Sequence, residues 1–262
     1  MAYFNAWKRG KKMSKIKAIK TIMMKRYLWN FALRIIIFLT VFAVYIWDKN
    51  VLMDLAMQPI KMGITPMHIL WLIFMCTMIL HLFPNQKLTM ALRKIEEPSF
   101  RPVDNPEPAE LLEFIKHQNV RAWVVMLVWL VFNGIFGVLY LLEIIGTPDL
   151  LMLTVFFYLC DYICILIYCP FQHFIMKNRC CVNCRIYDWG HFMMFTPMVF
   201  IRNFFSWSLF FTAVVVLLNW EITYAKHPER FYYGSNQSLQ CANCKDKICT
   251  VKKKVMKQKD VI

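Results

Sequence analysis

Glycine is scarce in this chain, with seven residues in 262. A phosphate-cradling GxxxxGK(S/T) loop and a GxGxxG dinucleotide turn need glycine where backbone approaches a ligand, and neither pattern occurs. HExxH and GxSxG are missing as well, which removes the common zinc-protease and serine-hydrolase machinery. No CxxCH is present to attach a haem. Acid is also in short supply, since 16 Asp and Glu face 31 Lys and Arg and leave a net charge of +15.

What is abundant is apolar. Hydrophobic residues make up 59% of the chain, aromatics 16% and charged residues only 18%, with a mean hydropathy of +0.44. A soluble domain carries more charge and less grease than this. The composition therefore predicts an all-α polytopic integral membrane helix bundle.

The positive charge sits at the two ends. Lys8, Arg9, Lys11, Lys12, Lys15, Lys17, Lys20, Lys25 and Arg26 precede the first apolar run with no acid among them. Lys245, Lys247, Lys252, Lys253, Lys254, Lys257 and Lys259 crowd the other end. Basic stretches beside membrane spans set topology and attract anionic lipid headgroups, so lipid rather than nucleic acid is the expected partner. Residues 1–26 read as a basic interfacial helix, with Ile16, Ile19, Ile22 and Met23 at helical spacing. The apolar run after them is too long for a cleavable signal.

Residues 27–225 read as the transmembrane bundle, of five or six segments. Spans are expected near Tyr27–Trp47, Ile64–Leu82, Ala122–Ile145 and Leu150–Tyr168, each able to cross roughly 30 Å of hydrocarbon. A polar loop, 85–121, carries a short amphipathic linker helix from Pro106 to about Gln118. The run from Phe192 to Tyr224 either crosses once or turns back at Arg202-Asn203, with Thr196-Pro197 breaking a short first arm. Only the return satisfies the charge rule at both termini. Under either course the basic N-terminus, 85–121 loop and 171–191 segment are expected to face the cytoplasm, and the return places the tail there too. The basic tail, 226–262, is expected to be mobile except where its cysteines tie it down.

Nine of the ten cysteines fall between Cys160 and Cys249. Cys180, Cys181 and Cys184 form one Cys-x-x-Cys group, and Cys241, Cys244 and Cys249 form its echo. Two such pairs can complete a tetrahedral thiolate site, so Cys181, Cys184, Cys241 and Cys244 are metal candidates, with His191 as a further ligand. The expected cofactor is zinc or an iron–sulfur cluster, although the spacing does not match the ferredoxin run. Disulfides or a thiol-exchange pair are the third reading.

A second group is Cys160, Asp161, Cys164, Cys169 and Pro170. Cys160 and Cys164 share a helical face, and Asp161 lies beside Cys164 on the same stripe. A carboxylate within a span is expensive unless it meets a partner or a cavity, and pairing with Arg34 or Arg202 would supply one. Asp161, Cys164, Arg34 and Arg202 thus mark an intramembrane polar path. Together these features suggest membrane-associated redox or electron transfer, with a redox protein or quinone as partner. The alternative is a non-enzymatic transporter or assembly scaffold with a structural zinc knot.

Overall fold

In the computed structural model, residues 21–57, 63–83, 88–104, 106–178, 180–244, 246 and 248–249 are described. Among them the chain is mainly helical and forms no β-strand, and Pro102 and Asn236 make an isolated antiparallel bridge. The elements are α1 (Ile22–Trp47), α2 (Lys49–Met57), α3 (Pro66–His81), α4 (Leu92–Ile95), α5 (Pro108–Leu141), α6 (Thr147–Leu166), α7 (Gly190–Phe195) and α8 (Phe204–Lys226). Four of them, α1, α5, α6 and α8, are long and apolar enough to cross a membrane, and α3 is a shorter apolar helix. Large apolar side chains such as Leu127, Val131, Ile135 and Val138 of α5 stand exposed, as lipid-facing positions do. The chain is an all-α membrane helix bundle.

Helix starts follow their caps. Thr21 Oγ1 accepts from the Met24 amide at 3.2 Å and opens α1. Asn203 Oδ1 accepts from the Phe205 amide at 3.0 Å and opens α8. Proline stands in the first turn of α3, α5 and α6, where its missing N–H costs nothing.

Pair contacts give the helix directions. Tyr27, near the start of α1, stacks on Tyr162, near the end of α6, at 5.3 Å between centroids. At the other extremity Lys49 meets Asp149 at 2.6 Å. α1 and α6 are therefore antiparallel, and a five-residue turn holding Glu143 at φ +58° joins α5 to α6. α3 and α8 run together, because His68 packs on Phe205 and Trp71 Nε1 donates to Ser208 Oγ at 2.7 Å. The bundle thus has a near end, holding the start of α1 and the ends of α3, α6 and α8, and an opposite far end.

The segment Gly190–Ile201 threads the middle. α7 gives way to a 3-10 turn over Thr196–Phe200, where Pro197 cannot continue the α-helix. Trp129 Nε1 donates to Thr196 Oγ1 at 3.1 Å, and Phe195 meets Phe74 edge-on at 5.2 Å. Phe200 lies against Gly137, where a Cβ would stand 2.2 Å from the ring. The chain then reverses at Arg202-Asn203 and returns along α8. Of the two expected courses, the return is the one the fold adopts.

A polar cap closes the near end. Val103 N donates to Ser235 O at 3.1 Å, and Gln237 N to Arg101 O at 2.8 Å. Ser238 Oγ reaches Ser99 O at 2.6 Å, and buried Asp246 pairs with Arg93 and accepts from Thr21 at 2.7 Å.

Several boundaries differ from the sequence expectation. The first span begins at Ile22 rather than Tyr27, so residues 22–26 belong to it, whereas residues 1–20 of the expected surface helix lie outside the described residues. The linker helix and third span are one 34-residue helix, α5, because no glycine or proline interrupts Ala109–Asn133. Residues 235–238 of the tail are held by hydrogen bonds to the 99–103 backbone, and so not by cysteines alone.

Candidate functional site

Arg34 of α1 and Asp161 of α6 face each other inside the bundle. Arg34 Nη1 donates to Asp161 Oδ2 at 2.8 Å and to the Tyr158 carbonyl at 2.5 Å. The guanidinium lies between the rings of Tyr158 and Tyr162, 3.9 Å from each centroid. Faces of aromatic rings attract such a cation, and the attraction grows with desolvation. Asn30 Nδ2 holds the Tyr162 hydroxyl at 3.2 Å. Gly190 lets α7 approach, since a Cβ there would sit 2.7 Å from Asp161 Oδ1. A second polar contact lies nearby, where His81 Nδ1 is 3.2 Å from Asp188 Oδ2, both buried, and the His81 and His191 rings are 4.7 Å apart.

Beside the ion pair opens a cavity of about 490 Å³ between α5, α6, α7 and the connection after α6. Cys160, Asp161 and Cys164 line it from α6, and Cys169 and Cys184 from the connection. The rest of its wall is largely apolar and includes Trp129 and Phe157, whose rings stand 4.7 Å apart.

Local chain geometry assembles these thiols. α6 ends at Leu166, and after Pro170 a single π-turn, Phe171–Ile175, folds the chain back. Gln172 fastens that turn through its side-chain amide to Asn178 O at 2.9 Å, and Asn178 Nδ2 reaches Asn183 O at 3.2 Å. Cys184 is thereby brought under the helix end. The Cys164 thiol is hydrogen-bonded with that of Cys169, whose sulfur also accepts from the Gln172 amide at 3.4 Å. Cys184 is 2% exposed, and burial pushes its thiol up to about 12, with the Ile186 backbone opposing.

The other sequence-derived candidates are distributed differently. Cys180 and Cys249 are half-buried, Cys241 is exposed, and Cys244 Sγ takes a hydrogen bond from Lys94 Nζ at 3.3 Å. The side chain of Cys181 lies outside the described residues. The two cysteine segments do share the near end, where Asn183 Nδ2 donates to Leu239 O at 3.2 Å. Among the described residues, however, no three His, Cys, Asp or Glu side chains converge to hold a metal ion, and no disulfide forms. His191 stands against His81. Arg202 is exposed at the far-end turn, so of the two arginines Arg34 takes Asp161.

Sequence reasoning did not foresee two relationships. Cys184 joins Cys164 and Cys169 rather than only its own Cys-x-x-Cys group, and the turn that causes this carries no spacing signature. The His81–Asp188 contact spans 107 residues and left no local trace. The Tyr158–Tyr162 clamp was also missed, although an i, i+4 aromatic pair flanking Asp161 was the signal that could have found it. No protein-family model matches the chain, and no curated protein or solved structure shows significant similarity to it.

Proposed function

We propose that this chain is a multi-pass membrane protein performing two-electron redox chemistry through cysteine thiols at its cytoplasmic end. The passes are α1, α3, α5, α6, the broken Gly190–Ile201 segment and α8, six in all. Charge supports the orientation: Arg93, Lys94, Arg101, Lys116, Arg121, Lys177, Arg185, Lys226 and Arg230 gather toward the near end. At the far end Lys49 and Arg202 are the described cations. An excess of Lys and Arg marks the cytoplasmic side.

The observation that carries the redox reading is the Cys164–Cys169 thiol contact in the wall of an apolar cavity. Two adjacent thiols can release two electrons and two protons and close a disulfide. The apolar wall shields that exchange from water, and Arg34 pairs with the neighbouring Asp161 at 2.8 Å. Counting alkylatable thiols in the full chain after reduction and after mild oxidation tests this. A reversible loss of two thiols, abolished in Cys164→Ser and in Cys169→Ser, is expected. A thiol count that oxidation leaves unchanged overturns the reading.

A second reading is favoured by the Asn183–Leu239 bond, which draws the two Cys-x-x-Cys segments to one end. Cys180, Cys181, Cys184, Cys241, Cys244 and Cys249 would then hold an iron–sulfur cluster that passes electrons. Alternatively they would hold a zinc ion that ties the tail of a transporter or scaffold. Metal and acid-labile sulfide analysis of anaerobically purified protein separates these: iron with sulfide supports the cluster, stoichiometric zinc the knot, and metal-free protein the dithiol.

A further inference from the structure

The cavity that Cys164 and Cys169 face is open on its outer side. Val128 and Phe132 of α5 and Phe156 of α6 line it and are each more than 40% exposed, so they border both the cavity and the lipid-facing surface. An occupant can therefore enter from the bilayer. At about 490 Å³ the space is of the size that takes a small organic molecule. The wall is aromatic and aliphatic except for thiols, Asp161 and Gln172. An apolar ring between such side chains gains stacking and dispersion contacts. A lipid chain alone would make no use of a thiol pair, whereas a flat, lipid-soluble two-electron acceptor would.

We propose that this cavity binds the head of an isoprenoid quinone and that Cys164 and Cys169 reduce it. This inference rests on the dithiol reading above. In the step, the two S–H bonds are lost and one S–S bond forms between Cys164 and Cys169. The two electrons and two protons convert both quinone carbonyls to hydroxyls, so the quinone leaves as the hydroquinone. Cys160 and Cys184, on the same wall, lie beside the pair that closes. A thiol substrate at the near end then restores the dithiol by exchange, becoming oxidised itself. The tail of the quinone exits between α5 and α6 into lipid.

The test uses the full chain in nanodiscs, reduced, freed of reductant under argon, and mixed with decylubiquinone. Hydroquinone formed in equal amount to the disulfide is the expected result. Cys164→Ser and Cys169→Ser should each abolish it. Ile163→Trp, which fills the cavity and leaves both cysteines in place, should slow the reaction about tenfold or more while the thiol couple still titrates with a soluble disulfide. A couple that titrates normally but does not reduce decylubiquinone overturns the quinone proposal alone. Absence of any couple overturns the dithiol reading beneath it. Equal rates in wild type and Ile163→Trp overturn the cavity as the site, and show that quinone meets the thiols elsewhere or binds only as bulk lipid.

Discussion

Arg34 and Asp161 neutralise each other across α1 and α6 at 2.8 Å, with two tyrosine rings closing the guanidinium from both sides. Neither charge has water as its main solvent. Removing one leaves the other without its partner in a half-buried site, at a cost below the about 3–5 kcal/mol of a fully buried pair. Asp161→Asn is expected to lower the melting temperature in detergent markedly, and the double change Arg34→Gln with Asp161→Asn to recover part of the loss. A single variant as stable as the parent would show that the pair does not hold the bundle together.

Two glycines on α5 make a controlled comparison. Alanine at Gly137 drives its methyl into the Phe200 ring, whereas Gly134 has nothing within 4 Å of the corresponding position. Gly137→Ala is expected to destabilise by about 1–3 kcal/mol through overpacking. Gly134→Ala should be neutral or stabilising by up to about 1 kcal/mol, from helix propensity. Equal effects on thermal unfolding would argue that the Gly190–Ile201 segment does not press on α5.

Asn236 belongs to an Asn-Gln-Ser sequon, yet its side chain is fully buried in the near-end cap. It donates to Lys94 O at 3.1 Å and to Arg230 O at 2.8 Å, and accepts from Ser238 N at 3.0 Å. Asn236→Ala leaves those buried groups without a partner and is expected to cost about 1–3 kcal/mol. Limited proteolysis should then cut between residues 227 and 249 faster than in the parent. Unchanged cleavage would deny the side chain its role.

Tyr232 gives the near-end cap an alkaline limit. Burial, then its hydrogen bond to Glu110 at 2.8 Å, raises its phenol above the ordinary tyrosine value. The unfolded chain loses this proton near pH ~10 while the folded chain keeps it, so the folded state binds more protons and stability falls as pH rises beyond that point. Tyr232→Phe should lose about 1 kcal/mol at neutral pH. Its melting temperature should also decline less between neutral and strongly alkaline buffer. Parallel curves for the two proteins would contradict the assignment.

Cysteine labelling reads the burial difference directly. Cys241 is exposed and Cys184 is 2% exposed. Maleimide should modify Cys241 within the dead time of a labelling series and Cys184 only after unfolding, as mass spectrometry of peptides would reveal. Early modification of Cys184 would mean that the connection after α6 opens readily.

Much of this architecture was written in local pattern. The apolar runs located α1, α3, α5 and α6, and the basic near end followed from where Lys and Arg fall. Thr196-Pro197 and Arg202-Asn203 announced both the break and the reversal. The i, i+4 placing of Cys160 and Cys164 beside Asp161 foretold one wall of the cavity. The merger at α5 was hidden because the polar run through Asn119 and Arg121 looks like a loop. A helix emerging from hydrocarbon into water keeps its hydrogen bonds and only changes its surface. The meeting of Cys184 with Cys169 depends on one π-turn, and Cys-x-x-Cys spacing drew attention to the tail instead.

The broken passage from Gly190 to Ile201 also has a bearing on biogenesis. Under the six-pass proposal its interrupted backbone lies at membrane depth, where such backbone is tolerated only when buried in protein, and Trp129, Phe74 and the glycine notch at 137 surround it only once the neighbouring helices are in place. It is therefore expected to enter last, carried in with α8 as one hairpin after the outer helices have settled. A nascent chain halted at its reversal would leave the centre of the structure hollow.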